Sequence, residues 1–558
     1  MNNKNKSVVA YFSMEIAVAS DIKTYAGGLG VLAGDILRSA ADSGFPMVGV
    51  TLLNRQGYFK QTIAASGEQI VQPDSHYDFS HLKKLSRQIT VKIGTEPLQV
   101  GVWQYIIKGR LGSKVLVYFL DTDLDGNKPS DRQLTGQLYG GDQDYRLKQE
   151  IILGRGGVKM LRALGYKEID KFHLNEGHGA LAAVELFVNS RQKSQREKLA
   201  EVRRHCVFTT HTPLKKEQDV YLLSHFLEYQ PDFPKYLNKL GASNEVSMTI
   251  LGLYFSRYAN AVSLRHQEVS RRMFPGYKIK EVTNGVNSLT WTAPEFKRLY
   301  DKYLAGWRAD NSLLSQAGQI PIEKIYLSHQ RAKQRLLAHI NGLTPKGSAG
   351  KLSAEIFTLG FARRFTPYKR PEFLFKNLTK LLAAQERGGR IQIIYAGKAH
   401  PHDLEGQAII KLVEQTKKEL GSKISLVFLE DYDLRQAQLL VAGVDLWLNT
   451  PLPPNEASGT SGMKAAHNGV PQLSTADGWW LEGYRQGETG WLIKENKKTS
   501  DSNLYDLLER EILPAYYHDP EKWGEIMRGA ICFNAAYFNT QRVLKQYIKE
   551  AYRTASGL

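Results

Sequence analysis

Only two cysteines, Cys206 and Cys532, occur in 558 residues, too few for a disulfide framework or a thiolate metal cluster. Long apolar runs are also missing. No stretch approaches the ~18 residues of a membrane span. The opening, MNNKNKSVVAYFSMEIAVAS, interrupts its apolar segment at Ser13 and Glu15, where a signal peptide needs a clean apolar core and a small-residue cleavage site. Low-complexity tracts and internal repeats are not visible either. These absences lead us to expect a cytoplasmic, soluble protein with reduced thiols. The composition, 42% hydrophobic and 23% charged, excludes a mainly disordered, collagenous or coiled-coil chain. At about 150 residues per domain the length allows three or four units, or two large ones.

The net charge is +18, from 74 lysines and arginines against 56 acidic residues. Such a balance suits nucleic acid, anionic membranes or phosphate-bearing ligands. Its densest stretch, Arg191 to Arg204, reads as an amphipathic helix with Leu199 and Val202 inward and a solvated basic face. The rest of the excess is spread out, so charge alone selects no partner.

Runs rich in β-branched and aromatic residues predict strands at Val8–Phe12, Met47–Leu52, Val100–Ile107, Val115–Leu120 and Cys206–Thr210. Helical periodicity covers Tyr145–Leu164 and Ala180–Val188. The second half is more regular, with apolar runs at Glu355–Phe361, Ile391–Ala396, Ile424–Leu429 and Val444–Leu448. Helical patterns separate them, one opening at Pro371 and another running from Asp403 to Gly421. Alternating strands and helices predict an α/β fold with parallel sheets covered on both faces. A boundary is expected at Asn284-Gly285, a surface loop at Gly342–Gly350, and a terminal helical stretch at Asn534–Arg553 that could pack on either domain.

Three segments carry chemistry. Tyr25-Ala26-Gly27-Gly28-Leu29-Gly30 precedes a helical pattern; its glycines would let a ligand approach the backbone, and helix N-terminal amides attract anions. It is not the dinucleotide fingerprint, whose spacing differs and for which no clear strand precedes it, and a plain tight turn would look the same. Phe361-Ala362-Arg363-Arg364-Phe365-Thr366-Pro367-Tyr368-Lys369-Arg370 follows a predicted strand, the place where doubly wound sheets bind ligands. Four cations there suit one or two phosphate groups, or else form a solvated basic loop. Glu456-Ala457-Ser458-Gly459-Thr460-Ser461-Gly462-Met463-Lys464 offers amides and hydroxyls to a phosphate, with a lysine one helical turn in. Such a lysine, partly dry, can form a Schiff base, although the spacing is not that of the Walker loop. His173-Leu-Asn-Glu176-Gly-His178 invites a metal reading, but its order differs from the zincin helix motif and no third ligand beside the two histidines is evident, so we expect no metal and read these residues as structural or as lining a substrate cleft. His211, after a predicted strand, is expected at that cleft or as a satisfied core histidine.

These segments resemble the α-glucan (glycogen, starch, maltodextrin) phosphorylases, in their short bacterial and archaeal form. The resemblance includes YFSMEIA at 11–17, YAGGLGVLAGD at 25–35, LLNRQGYFKQ at 52–61, YGGDQDYRLKQEIILGRGG at 139–157 and HLNEGHGALAAVEL at 173–186. It continues with FTTHTP at 208–213, VTNGVN at 282–287, FARRFTPYKR at 361–370, YAGKAHP at 395–401, GVDLWLNTPLPPNEASGTSGMKAAHNGV at 443–470 and DGWWLEGY at 477–484. It implies the GT-B architecture: two Rossmann-like doubly wound domains facing a deep catalytic cleft, here divided as 1–285 and 286–558.

The resemblance also implies pyridoxal 5'-phosphate, held as a Schiff base on Lys464, and reversible phosphorolysis of α-1,4-glucan to α-D-glucose 1-phosphate with retention. By the same resemblance Arg364 and Lys369, with the amides of Gly28 and Leu29, match ligands of the substrate phosphate. Arg363, Thr460 and Gly462 match binders of the cofactor phosphate, Arg363 standing where a lysine is usual. Glu456, Ser458 and Gly459 match groups that hold glucose hydroxyls, and His211 and Asn284 those near the 6-hydroxyl. The partners implied are the glucan and phosphate, with a homodimer and without nucleic acid or membrane. Two alternatives share some of these features: a glycogen- or starch-synthase-like transferase using nucleotide sugars, against which SGTSGMK argues, and a catalytically impaired glucan-binding protein. The latter is motivated by LKKEQDVY at 214–221, where the short form carries Pro-Ala-Gly-His-Asp. Pro367 and Asn287 depart from the pattern as well.

Overall fold

The computed structural model describes residues 7–73, 78–234, 237, 244–343, 351–495 and 502–553; positions 344–350 of the expected surface loop lie outside them. The chain divides into two compact units. Met1–Phe59, Pro73–Thr283 and Val543–Leu558 form the first, and Lys60–Gln72 with Asn284–Arg542 the second.

The first unit is built on nine strands: β1 (Val8–Phe12), β2 (Met47–Leu52), β3 (Lys83–Ile93), β4 (Glu96–Lys108), β5 (Lys114–Asp121), β6 (Ile169–Asn175), β7 (Cys206–Thr209), β8 (Tyr258–Ala261) and β9 (Ile279–Glu281). Their order is β9-β8-β7-β6-β1-β2-β5-β4-β3. Only the β3-β4 and β4-β5 pairs are antiparallel. The strands nearest the centre, such as VVAYF in β1, are buried along their whole length, as expected where helices cover both faces of a parallel sheet. Between β5 and β6 the predicted helix is present over Gln143–Ala163, but its middle turn, Ile152–Gly156, is π-helical.

The second unit has six parallel strands: β10 (Phe357–Ala362), β11 (Ile391–Ala396), β12 (Ser425–Leu429), β13 (Leu446–Asn449), β14 (Gln472–Thr475) and β15 (Gly490–Ile493). Their order, β12-β11-β10-β13-β14-β15, is that of the dinucleotide-binding doubly wound sheet, with a switch point between β10 and β13. The helix Leu404–Leu420 starts at Asp403, whose side chain accepts from Gly406 N, and ends at Gly421. Two large, mainly parallel sheets in one mixed α/β chain are consistent with the GT-B class.

Two local expectations, at Pro371 and at the hairpin Lys60–Gln72, need correction. Pro371 opens a short 3-10 turn to Phe375; the regular helix starts only at Leu378, capped by Asn377. The terminal stretch is helical as expected, in two pieces, with the helical turn Ala530–Ala535 separate from the helix Thr540–Tyr547 and its π-helical continuation Ile548–Tyr552. The hairpin Lys60–Gln72, expected with the first half, belongs to the second unit. Its Gln61 and Gln69 amides donate to the Gly397 and Ala399 carbonyls at 2.9 Å each, and Gln61 N donates to Asp431 at 3.2 Å.

Past Arg542 the chain returns to the first unit. There Val543, Leu544, Tyr547, Ala551 and Tyr552 join the core beneath β1, β2 and β5.

Candidate active site

In the second unit, polar residues gather at the carboxyl ends of β10 and β13, the two strands that flank the switch point. Arg363, just past β10, donates from Nη1 to the side-chain carbonyl of Asn449 at the end of β13 (3.1 Å) and from Nη2 to Glu456 Oε2 (2.5 Å). Lys369 Nζ reaches the same Glu456 oxygen at 2.5 Å. Burial alone would raise the Glu456 carboxyl, but Arg363 and Lys369 outweigh it and hold the group at about 2. Two predicted cations therefore converge on one predicted sugar ligand.

Beneath them, Asp477 Oδ2 accepts from Glu456 N at 2.8 Å and Oδ1 from Gly478 N at 2.9 Å. Burial, with the Glu456 charge adding to it, pushes Asp477 up to about 7. Sequence reasoning missed Asp477 and Asn449 as site residues. Their signal was positional: each polar side chain sits at or just beyond the carboxyl end of a buried strand.

The remaining predicted residues of this unit differ in placement. Lys464 is buried in the fourth position of α2 (Ser461–Ala466), its Nζ 4.1 Å from the centre of the Trp291 ring. Thr460 precedes that helix as its N-cap. Gly462 packs so tightly that a Cβ would come within 1.5 Å of Gln472 Oε1. Gly459 turns with φ 80° beside Glu456. Asn284 is buried and its carbonyl accepts from Arg542 at 3.1 Å. Arg364 is exposed. Arg370, the fourth cation of its segment, is structural. It forks onto Glu495 (2.6 and 2.7 Å) and binds the Thr450 and Pro451 carbonyls.

The residues present fit a phosphate-bearing cofactor and a sugar. Arg363 Nε and Ser458 Oγ are both buried without a partner among the described residues. A guanidinium N–H and a hydroxyl left so are costly unless a ligand oxygen completes them.

In the first unit, α1 (Gly28–Ser43) begins inside the glycine loop. The strand expected at Val8–Phe12 is present as β1, and residues 13–27 separate it from this helix. A Cβ on Gly27 or Gly28 would meet nothing within 4 Å, so packing does not demand glycine there. Its N-cap, Gly27, has no side chain to bond the first turn, and the Glu15 carboxylate takes only the amides of Ala26 and Gly27 ahead of it, which leaves the amides that follow suited to an anion.

His211 follows β7. Its backbone N donates to Glu176 Oε2 at 2.6 Å, and its Nε2 lies 2.6 Å from Asn175 Oδ1. A carbonyl oxygen can only accept, so Nε2 carries the proton. Burial, and then neighbouring histidines, hold His211 well below the ordinary range; it is a neutral hydrogen-bonding group rather than an acid. Of the three residues that invited a metal reading, His173 is bonded to Tyr552 and Thr209, and Glu176 accepts from Gly177, His211 and Thr212. His178 instead pairs with Asp219, near Glu150, and Arg146 already brings positive charge to both carboxyls.

Comparison with known proteins gives the family of the chain. A sequence model described as "Phosphorylase: Carbohydrate phosphorylase" matches residues 235–487. The glycogen phosphorylase of Aquifex aeolicus (strain VF5) is 37% identical, over 98% of this chain and 86% of its own length. The maltodextrin phosphorylase of Thermococcus litoralis is 36% identical, over 98% of this chain and 70% of its own. The glycogen phosphorylase of Mycobacterium tuberculosis (strain ATCC 25618 / H37Rv) is 33% identical, with 98% and 71% covered. With its lysine-bearing loop at the switch point and relatives matched along nearly its whole length, this chain belongs to the carbohydrate phosphorylase family.

Proposed function

We propose that the chain is a cytoplasmic α-1,4-glucan phosphorylase that takes glucose from the non-reducing end of a glucan onto phosphate, giving α-D-glucose 1-phosphate with retention, and runs in reverse. The observation that carries this reading is the convergence of Arg363 and Lys369 on Glu456 at the β10/β13 switch point. Cations held there suit phosphate, and the carboxylate between them suits sugar hydroxyls.

On this reading Lys464 is the covalent anchor of pyridoxal 5'-phosphate, and Arg363, Thr460 and Gly462 hold its phosphate. When bound, that group supplies a phosphate whose second ionisation near pH ~6 lets it give and take a proton close to neutrality. The chain's own residues bind and orient. Lys369 and Arg364, with the amides of Gly28 and Leu29, take the substrate phosphate and bring its negative charge to the sugar carbon where positive charge develops. Glu456, Ser458 and Gly459 accept or donate to the glucose hydroxyls, and Asn284 and neutral His211 serve the 6-hydroxyl. A sugar lacking one of these hydroxyls leaves a buried polar group unpaired and is rejected.

Neither the nucleotide-sugar transferase nor the impaired binding protein is favoured, because the named relatives are phosphorylases. The test is borohydride reduction of protein purified with pyridoxal phosphate, followed by peptide mapping. A stoichiometric pyridoxyl group on Lys464 is expected, and its absence there would overturn the cofactor assignment.

A further inference from the structure

Two segments singled out in the sequence, YFSMEIA and YGGDQDYRLKQEIILGRGG, have no part in the proposed reaction. In the first unit they converge on the glycine loop. Glu15, buried just beyond the end of β1, accepts through Oε2 from the amides of Ala26 (2.6 Å) and Gly27 (3.2 Å). Its other oxygen, Oε1, accepts from the Tyr139 hydroxyl at 3.1 Å. The carboxylate lies close under the turn: a Cβ on Gly30 would come within 2.8 Å of Oε2.

Tyr139 is itself firmly placed. It has φ 55°, a left-handed backbone that a bulky side chain adopts only when its surroundings impose it. The Arg146 guanidinium stacks on its ring at 4.8 Å. Arg146 in turn bonds both Asp219 oxygens, at 3.3 and 3.2 Å, and Asp219 pairs with His178 at 3.2 Å. The altered 214–221 stretch thus contributes Asp219 to the support of this loop.

We propose that Glu15, buttressed by Tyr139, is a positioning residue that sets the direction of the Gly28 and Leu29 amides toward substrate phosphate. By engaging the two amides that precede α1, it fixes where the next two emerge. Its own negative charge would repel an anion nearby, so its contribution is geometric. This inference rests on the reading that those amides bind phosphate.

The test compares steady-state kinetics for inorganic phosphate and for glucose 1-phosphate, together with thermal stability and pyridoxyl content, in four variants of the full holoenzyme. Gly28→Ala adds a methyl into open space, so the fold tolerates it and only ligand approach suffers; its KM for both ligands should rise about tenfold. Glu15→Ala should raise the same KM values about tenfold with pyridoxyl content unchanged. Glu15→Gln keeps an oxygen for the two amides and an NH2 group that can donate to the Tyr139 oxygen, yet removes the charge. It should return KM to within about twofold of the parent, or below it. Tyr139→Phe should raise KM about threefold.

An unchanged KM in Gly28→Ala would remove the phosphate reading of the loop, and the inference with it. A raised KM in Gly28→Ala beside unchanged KM in Glu15→Ala would overturn the inference alone. A loss in Glu15→Gln as large as in Glu15→Ala would likewise overturn it, since charge and not position would then matter. Should Glu15→Ala fail to fold, Tyr139→Phe decides: a raised KM supports the inference and an unchanged one overturns it.

Discussion

Glu456 carries two cations on one oxygen, and that sharing sets what substitutions around it do. Lys369→Ala removes a charge-assisted contact while leaving Arg363 to hold Glu456, so the protein should stay folded and its KM for phosphate should rise about tenfold or more. Initial rates at limiting phosphate check this, and unchanged rates would take Lys369 out of the site. Asp477, below Glu456, gives a prediction of stability against pH. Its carboxyl keeps its proton to about 7 in the fold against 3.8 as the ordinary value. The folded state therefore binds that proton more tightly, and the stability it contributes is present below pH ~4 and lost as pH rises toward ~7. Asp477→Asn should flatten this fall, so the difference in Tm between pH 5 and pH 8 should be smaller in the variant than in the parent. An identical difference would contradict the assignment.

At the scale of elements, α2 depends on a close approach to β14. Gly462→Ala would drive a methyl into Gln472, whose side-chain oxygen also holds Asn449. A cost of about 3 kcal/mol is expected, read as a fall in denaturation midpoint. The strands were legible because buried parallel strands are continuous apolar runs. Val8–Phe12, Met47–Leu52 and Ile391–Ala396 match their predicted limits residue for residue. The helix expected at Pro371 was misplaced for a local reason: proline at a first turn fits 3-10 as well as α geometry, and Arg370 just before it is left-handed with φ 47°. The π turn at Ile152–Gly156 left no trace in the sequence, since periodicity there stays helical. Of the site, the residue types and strand-end positions were visible. What the sequence could not tell was pairing: that Arg370 would be spent on Glu495, that Arg364 would be exposed, or that Asp477 would sit under Glu456.

For the molecule as a whole, Val543, Leu544, Tyr547, Ala551 and Tyr552 belong to the core of the unit that the chain left at Thr283. Tyr552 and Thr209 hold the two nitrogens of buried His173, at 2.6 and 2.8 Å. Tyr552→Phe strands one of those nitrogens and should cost about 1–3 kcal/mol in the unfolding of the first unit. Removing residues from Val543 onward strips four large buried side chains, Val543, Leu544, Tyr547 and Tyr552. At roughly 1.5–3 kcal/mol each, that loss is comparable to a domain's whole stability, so the truncated chain should fail to fold its first unit.

Phosphorolysis is tested most directly by incubating the pyridoxal-phosphate-loaded protein with maltodextrin and inorganic phosphate and following the sugar released. The expected product is α-D-glucose 1-phosphate, formed only when phosphate is present and abolished in Lys464→Ala. Free glucose formed without phosphate, or no product while the lysine carries its pyridoxyl group, would contradict it.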